Sequence, residues 1–411
     1  MEIIEEIEKI NSLFNGIFIR YSEKDVFSDL ENEIKRVAPF SHCAFLSFAK
    51  THDLYGAQVL SSVKRIDCKL ITLFMPENKE NSLDFFSYAF NLPEEIRCVF
   101  TFDAALCDVC RYYADVKGIP FIFIRKSAEI GNFAENYIIF KNGEKLEKYS
   151  DDADKTIIIN KNFMSDTANA DSYAYVICQL LSLIDYRLCL SLDDEMNAKT
   201  YRAAKEAVVS AFSIFSVPAD MRAVYLAVCC VKYQTADYMT KGKFALSTPQ
   251  KCATYFYNGK IINDYGRFLS FSLKILRLYA ACFSCKSEIR TMPNYLKRAE
   301  IVSNTLNIDE TDTAECLLKE IRQIRSKLNK CIKTVNLLSK EVKGFVGNEK
   351  AIIGTYRALK GRVPNSDEKK TLAAIRHAGD LPIGFNGVSV LRETGMTDVA
   401  VFNADNVSVA D

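Results

Sequence analysis

Hydrophobic positions follow two different periods along the chain, and the change between them falls near residue 165. Before it, short and nearly continuous apolar runs occur at residues 45–48, 70–75, 98–102, 121–124 and 156–159. Runs of this length, apolar on both faces, predict buried parallel strands. Amphipathic stretches separate them. Residues 53–64 gather Leu54, Ala57, Val59, Leu60 and Val63 near one stripe, and residues 81–91 read as a second helix of the same kind. Such alternation predicts a doubly wound α/β domain. Residues 136–145 depart from it, alternating through Asn142-Gly143, and predict a hairpin beside the main sheet.

After residue 165 the period is helical throughout. Residues 171–192, 201–215, 221–239 and 266–285 predict helices so apolar that they must be buried in a bundle. Residues 313–345 carry Leu317, Ile321, Ile324, Leu328, Ile332, Val335, Leu338 and Val342 at three- and four-residue spacing, with Lys and Arg on the other faces. The expected organisation is an α/β domain over 1–165, an all-helical domain over 166–396, and a tail over 397–411 that lacks any period and frays or lies across the surface.

Composition narrows the function classes. In 411 residues, 49% hydrophobic and 26% charged content is that of a soluble globular protein, and a formal charge of +1 gives no net field for nucleic acid or an anionic membrane. The Lys and Arg of 313–345 have no interleaved aromatic rings and read as a solvated face. The acidic start of the chain lacks a basic region followed by an apolar run, and no stretch reaches about 18 uncharged apolar residues, so no membrane segment and a cytoplasmic location are expected. Fourteen cysteines are scattered through apolar runs such as Val228-Cys229-Cys230-Val231, as small buried hydrophobes of a reducing compartment are. Two CxxC pairs, Cys107/Cys110 and Cys282/Cys285, put two sulfurs on one helix face, yet no His or Cys completes a zinc set, and core packing is expected. The three histidines, His42, His52 and His377, are expected at the surface or at caps.

The chemistry-bearing segment runs from Cys98 to Ile124: strand, turn, helix, Gly118-Ile119-Pro120, strand. This is one right-handed βαβ unit, the scaffold of a nucleotide crevice. Its turn, Phe102-Asp103-Ala104, contains no glycine. A pyrophosphate needs glycines so that backbone N–H groups can approach it, and here a bulky ring and a like charge are expected to block that approach. Lys126 could offer a phosphate contact, but a solvated lysine is the expectation. Tyr113 and Lys117 match a Tyr-x-x-x-Lys proton relay without its glycine-rich turn, and Ser247 and Lys251 match a Ser/Lys nucleophile pair with Pro249 between them; both read as chance spacings.

Taken in order, these segments resemble the dehydroquinate synthase-like and iron-containing alcohol dehydrogenase superfamily, with the sn-glycerol-1-phosphate dehydrogenase branch nearest. The family's glycine-rich turn, aspartate, lysine and Gly-Ile-Pro fall on the stretch from Phe102 to Pro120, where Asp108 keeps the aspartate and Arg111 replaces the lysine. Its Thr-Ala-x-Ser-x-Asp-Gly loop falls on Lys126-Ser127-Ala128-Glu129-Ile130-Gly131-Asn132, and its Asp-Trp-x-Leu helix end on Asp185-Tyr186-Arg187-Leu188. Its carboxyl-terminal helix and closing segment fall on residues 368–377 and 391–395.

The resemblance implies a Rossmann-like nucleotide-type domain, a helical metal- and substrate-type domain, NAD(P), a divalent metal held by one aspartate and two histidines, and a homodimer. The ligand positions are substituted. The aspartate falls on Tyr175, the Ser-Gly-x-Glu-His motif ends on Lys251 with its following histidine on Tyr255, and the last histidine falls on Tyr265. Phe102, Asp103, Ala104, Asp108, Lys126 and Glu129 stand at the cofactor positions. The expected reading is therefore a pseudoenzyme that has lost metal and dinucleotide and acts by binding or assembly, with no cofactor. The first alternative is an active NAD(P)- and metal-dependent oxidoreductase of a small phosphorylated polyol such as glycerol phosphate. A second keeps an enzyme without dinucleotide, using Asp103, Asp108, Lys126 and Glu129 toward another ligand.

Overall fold

Segments rich in β-branched and aromatic residues form a six-stranded sheet in the computed structural model, which describes residues 3–14, 16–77, 82–128, 137–142, 145–150, 152–189, 198–239, 265–283, 294–364 and 387–393. The first elements are α1 (Ile3–Leu13), β1 (Ile17–Ser22), α2 (Val26–Val37), β2 (His42–Ser47), α3 (Ala49–Arg65), β3 (Lys69–Phe74), α4 (Leu83–Ser87), β4 (Ile96–Thr101), α5 (Cys107–Lys117) and β5 (Phe121–Ile124). They are followed by β6 (Tyr137–Asn142), β7 (Lys145–Ser150), β8 (Lys155–Asn160), α6 (Asn169–Cys189), α7 (Ala198–Ala211) and α8 (Arg222–Met239). Contacts group the chain into two units, one of residues 1–143, 147–173 and 209–242, the other of 144–146, 174–208 and 243–411. Helix α8 is thus grouped with the sheet.

The sheet order is β1-β8-β5-β4-β2-β3 and every pair is parallel. From β2 the chain steps outward to β3, then returns across β2 to β4 and continues through β5 to β8. The order therefore reverses between β2 and β4, where Cys43 pairs with Cys98 and Phe45 with Phe100. Strand β1 was not visible in the apolar pattern. It lies at the edge, pairs only with β8 from Ile17↔Lys155 to Ser22↔Asn160, and alternates buried and exposed positions at its start. The predicted hairpin is present as the two-stranded sheet of β6 and β7.

Local chemistry explains the boundaries. Asp25 caps α2 through its carboxylate, which accepts from Ser28 N at 2.9 Å. Gly118 ends α5 at φ +62°, its N–H bonded to the Asp115 carbonyl and that of Ile119 to the Ala114 carbonyl, so Pro120 leads directly into β5. One face of the sheet packs against α2 and α3 through Leu30, Ile34, Val59 and Val63, with Phe45 stacked on Phe100 at 5.2 Å. On α8, Lys232 donates to Glu6 at 2.8 Å, and Lys9 donates to the other oxygen at 2.9 Å. Burial pushes the Glu6 carboxyl up, and the two lysines outweigh it, leaving it below the usual carboxylate range.

The second unit continues with α9 (Tyr265–Cys282), α10 (Tyr295–Leu306), α11 (Glu310–Ser326), α12 (Leu328–Gly347), α13 (Glu349–Lys360) and α14 (Gly387–Glu393). The helical spacing over 313–345 is carried by two helices. Lys327, at φ −120° and ψ 23°, separates them with tight bonds from its own N–H to the Ile324 carbonyl and from Lys330 N–H to its carbonyl. Neither Gly nor Pro marks this break. Its buried seam runs through Leu317, Ile321, Ile324, Cys331, Val335, Leu338 and Val342, with Leu328 and Ile332 only half-buried. The segments at 368–377 and 397–411 lie outside the described residues. Among the described residues, no helix is long and apolar enough to cross a membrane.

Candidate functional site

Strand β4 ends at Thr101, whose hydroxyl accepts the N–H of Asp103 at 3.0 Å and turns the chain. Phe102 and Asp103 then separate. The Phe102 ring enters the core, with ring centroids 5.5 Å from Tyr55, 5.6 Å from Phe45, 5.7 Å from Phe163 and 6.3 Å from Phe27. It does not stand over the turn, as the sequence had led us to expect, because an unusually aromatic pocket under α3 takes it. The Asp103 carboxylate turns to the amino terminus of α3. One oxygen accepts from Phe48 N at 3.1 Å, and the other from the Thr51 hydroxyl at 2.6 Å and the Lys126 ammonium at 2.7 Å. Lys126 also donates to Thr51 at 3.1 Å, and Asp103 is only 6% exposed. The expectation of a solvated Lys126 fails for that reason: a buried carboxylate holds its ammonium.

This carboxylate sits at the carboxyl ends of β2 and β4, where the strand order reverses. In doubly wound sheets that is where ligands bind, and a helix amino terminus there favours an anion. Here the anion is the chain's own. Thr51, 52 residues away in sequence, was missed by sequence reasoning, and its one signal was a hydroxyl in the first turn of the helix after β2.

Two other cofactor-position residues, Ala104 and Asp108, make local structural contacts. Ala104 opens a 3-10 turn, Ala104–Leu106, before α5. Asp108 takes the guanidinium of fully buried Arg111 at 3.0 Å. Glu129 lies outside the described residues. Cys107 and Cys110 are buried in α5, and burial pushes both thiols well above the usual range, as packing residues require and reactive thiols do not. Burial likewise raises the Tyr113 phenol, the opposite of the shift a Tyr–Lys relay needs. His52 packs its ring on Phe74 at 4.8 Å and faces Phe45 at 6.4 Å, so it wedges between aromatics instead of capping; His42 opens β2, and His377 lies outside the described residues.

In the second unit, Tyr175 on α6 and Tyr265 at the start of α9 meet edge to face, with centroids 5.7 Å apart and planes at 89°. Phe268 packs on Tyr265 at 5.3 Å. Two positions 90 residues apart that the resemblance assigns to one metal site are thus together; Lys251 and Tyr255 lie outside the described residues. The pair does not fit a catalytic divalent metal. Neutral phenols are poor donors for such ions, and the rings bring neither a carboxylate nor an imidazole. Among the described residues, no group of three or more His, Cys, Asp or Glu side chains could hold a metal. Nearby in sequence, buried Asp185 accepts from the Tyr279 hydroxyl at 2.5 Å, which anchors α6 to α9.

No family model matches the sequence, and no curated protein matches it. Solved structures do. Glycerol dehydrogenase from Schizosaccharomyces pombe is similar at 12% identity and TM-score 0.51, over 85% of this chain and 94% of that one. An iron-containing alcohol dehydrogenase from Thermococcus thioreducens is similar at 11% identity and TM-score 0.52, over 96% and 99%. NADH-dependent butanol dehydrogenase A from Thermotoga maritima is similar at 12% identity and TM-score 0.52, over 95% and 94%. At such identities the likeness is one of fold.

Proposed function

Starting from the dehydroquinate synthase-like fold that this chain shares with iron-containing alcohol and glycerol dehydrogenases, we propose that it is a glycerol-1-phosphate dehydrogenase-like pseudoenzyme acting through binding or assembly. The observation that carries this reading is Asp103, whose carboxylate takes Phe48 N–H, Thr51 and Lys126 at the strand-order reversal. A pyrophosphate there would find the helix-terminal N–H and the lysine already taken by Asp103. The Tyr175–Tyr265 contact supports the same reading at the metal positions. Among the described residues, none forms a group to hold the ion that would polarise a substrate hydroxyl for hydride transfer.

Calorimetric titration with NADH and NADPH tests the first half, and elemental analysis of untagged purified protein tests the second. The expected results are no heat up to millimolar nucleotide and no stoichiometric zinc, nickel or iron. Micromolar affinity or a full metal equivalent would overturn the proposal in favour of an NAD(P)-dependent oxidoreductase of a small phosphorylated polyol, the reading that the neighbours' alcohol and glycerol chemistry supports. The proposed setting is the cytoplasm and the proposed assembly a homodimer, which sedimentation measures directly.

A further inference from the structure

Charge in this chain is segregated, although its formal total is only +1. Between Arg325 and Arg362 there are ten Lys and Arg against two Glu. Both carboxylates are engaged by cations of other helices. Glu341 takes Lys205 at 2.6 Å and Arg187 at 3.3 Å, and Glu349 takes Arg277 through two bonds of 2.6 and 2.7 Å. Six exposed cations of α12, α13 and the residues just after them, Lys333, Lys340, Lys343, Lys350, Arg357 and Arg362, make no ion pair among the described residues.

Helix geometry sorts them. The buried seam of α12 is Cys331, Val335, Leu338 and Val342. At 100° per residue, Lys333 and Lys340 fall on the diametrically opposite line, about 10 Å apart, one on each side of Leu337. Leu337 is 71% exposed, the most exposed large apolar side chain on this helix. The same opposition holds on α13, where Lys350 and Arg357 lie away from buried Ile352 and Tyr356.

We infer that the outer face of α12 is a docking surface for an acidic amphipathic helix of a partner protein, with carboxylates one heptad apart flanking an apolar residue that seats on Leu337. Charge complementarity selects an acidic partner. An apolar centre rimmed by charge selects a protein over a polyanion, since a phosphate backbone has no use for Leu337 and no aromatic ring lies between Lys333 and Lys340 for base stacking. The α12 cations are all Lys, which offer point charges without the forked geometry that favours phosphate. This inference does not depend on the state of the nucleotide or metal positions.

The test titrates full-length protein into a fluorescein-labelled synthetic helix with Glu residues one heptad apart around a central Leu, and in parallel into a labelled DNA duplex and phosphatidylserine vesicles. Anisotropy should report micromolar peptide binding at physiological salt. Lys333→Glu with Lys340→Glu should weaken it about tenfold or more, and Leu337→Ser about fivefold, with an unchanged thermal midpoint because all three side chains are exposed. Absence of peptide binding, binding indifferent to these variants, or tighter binding of duplex or vesicles that ignores Leu337→Ser would overturn the inference.

Discussion

Replacing Lys126 by Met isolates the electrostatic half of the lock at the end of β4. The ammonium is 2.7 Å from one Asp103 oxygen and 3.1 Å from Thr51, and the Lys126 side chain is 24% exposed while that of Asp103 is 8% exposed. Removing one partner of a fully buried pair costs about 3–5 kcal/mol. Partial exposure of Lys126 and the surviving bonds from Phe48 and Thr51 reduce this, to about 1.5–3 kcal/mol. Asp103→Asn removes the charge and keeps an acceptor, so the double variant should be less destabilised than the sum of the singles, with a coupling of about 1–2 kcal/mol. Urea unfolding followed by circular dichroism measures all four corners of the cycle, at low and high salt. The coupling should persist at high salt, because a buried pair is poorly screened. A Lys126→Met protein as stable as its parent, or a coupling of zero, is the signature of a solvated surface lysine and would refute the reasoning.

Three further outcomes are expected. Phe102→Ala, emptying a site ringed by Phe27, Phe45, Tyr55 and Phe163, should cost about 3–5 kcal/mol in the same unfolding assay. Asp309→Ala should cost about 1 kcal/mol, because Asp309 caps α11 by accepting from Asp312 N at 2.7 Å. The Cys43 and Cys230 thiols are pushed by burial to about 12 from an ordinary value of 9.0. Their folded values are raised, so the neutral thiols stabilise the fold fully below about pH 9, and that contribution declines as pH rises toward 12. Thermal midpoints should fall steadily over that alkaline interval, and Ser substitution at Cys43 should flatten the slope.

Much of the architecture was legible in hydrophobic period because buried parallel strands and apolar helices write continuous or stripe-like patterns. β1 escaped because an edge strand with Arg20 and Tyr21 carries only half such a pattern. The break at Lys327 escaped because tertiary packing imposes it within a stretch whose seam is otherwise in register. At the site, glycine loss and like charge were readable at Asp103, but the direction of the carboxylate was not. Its partners Phe48 and Thr51 at the start of α3 and Lys126 just after β5 are brought together only by the sheet order. The meeting of Tyr175 with Tyr265 followed from the family resemblance and from no spacing within the chain.

Helix α8 closes onto α1 through Lys232 and Glu6, which are 226 positions apart. On a ribosome adding about 5–20 residues each second, the amino-terminal helix waits roughly ten to forty-five seconds for that contact. β1 likewise stays without a neighbour until β8 is made. The two units are also interleaved along the chain, since residues 174–208 of one are made before residues 209–242 of the other. The first unit is therefore complete only once residue 242 has been made, and a polypeptide stopped after residue 165 would expose the apolar side of α1 that α8 covers. Apolar surface left uncovered in this way is what makes an incomplete chain prone to aggregate.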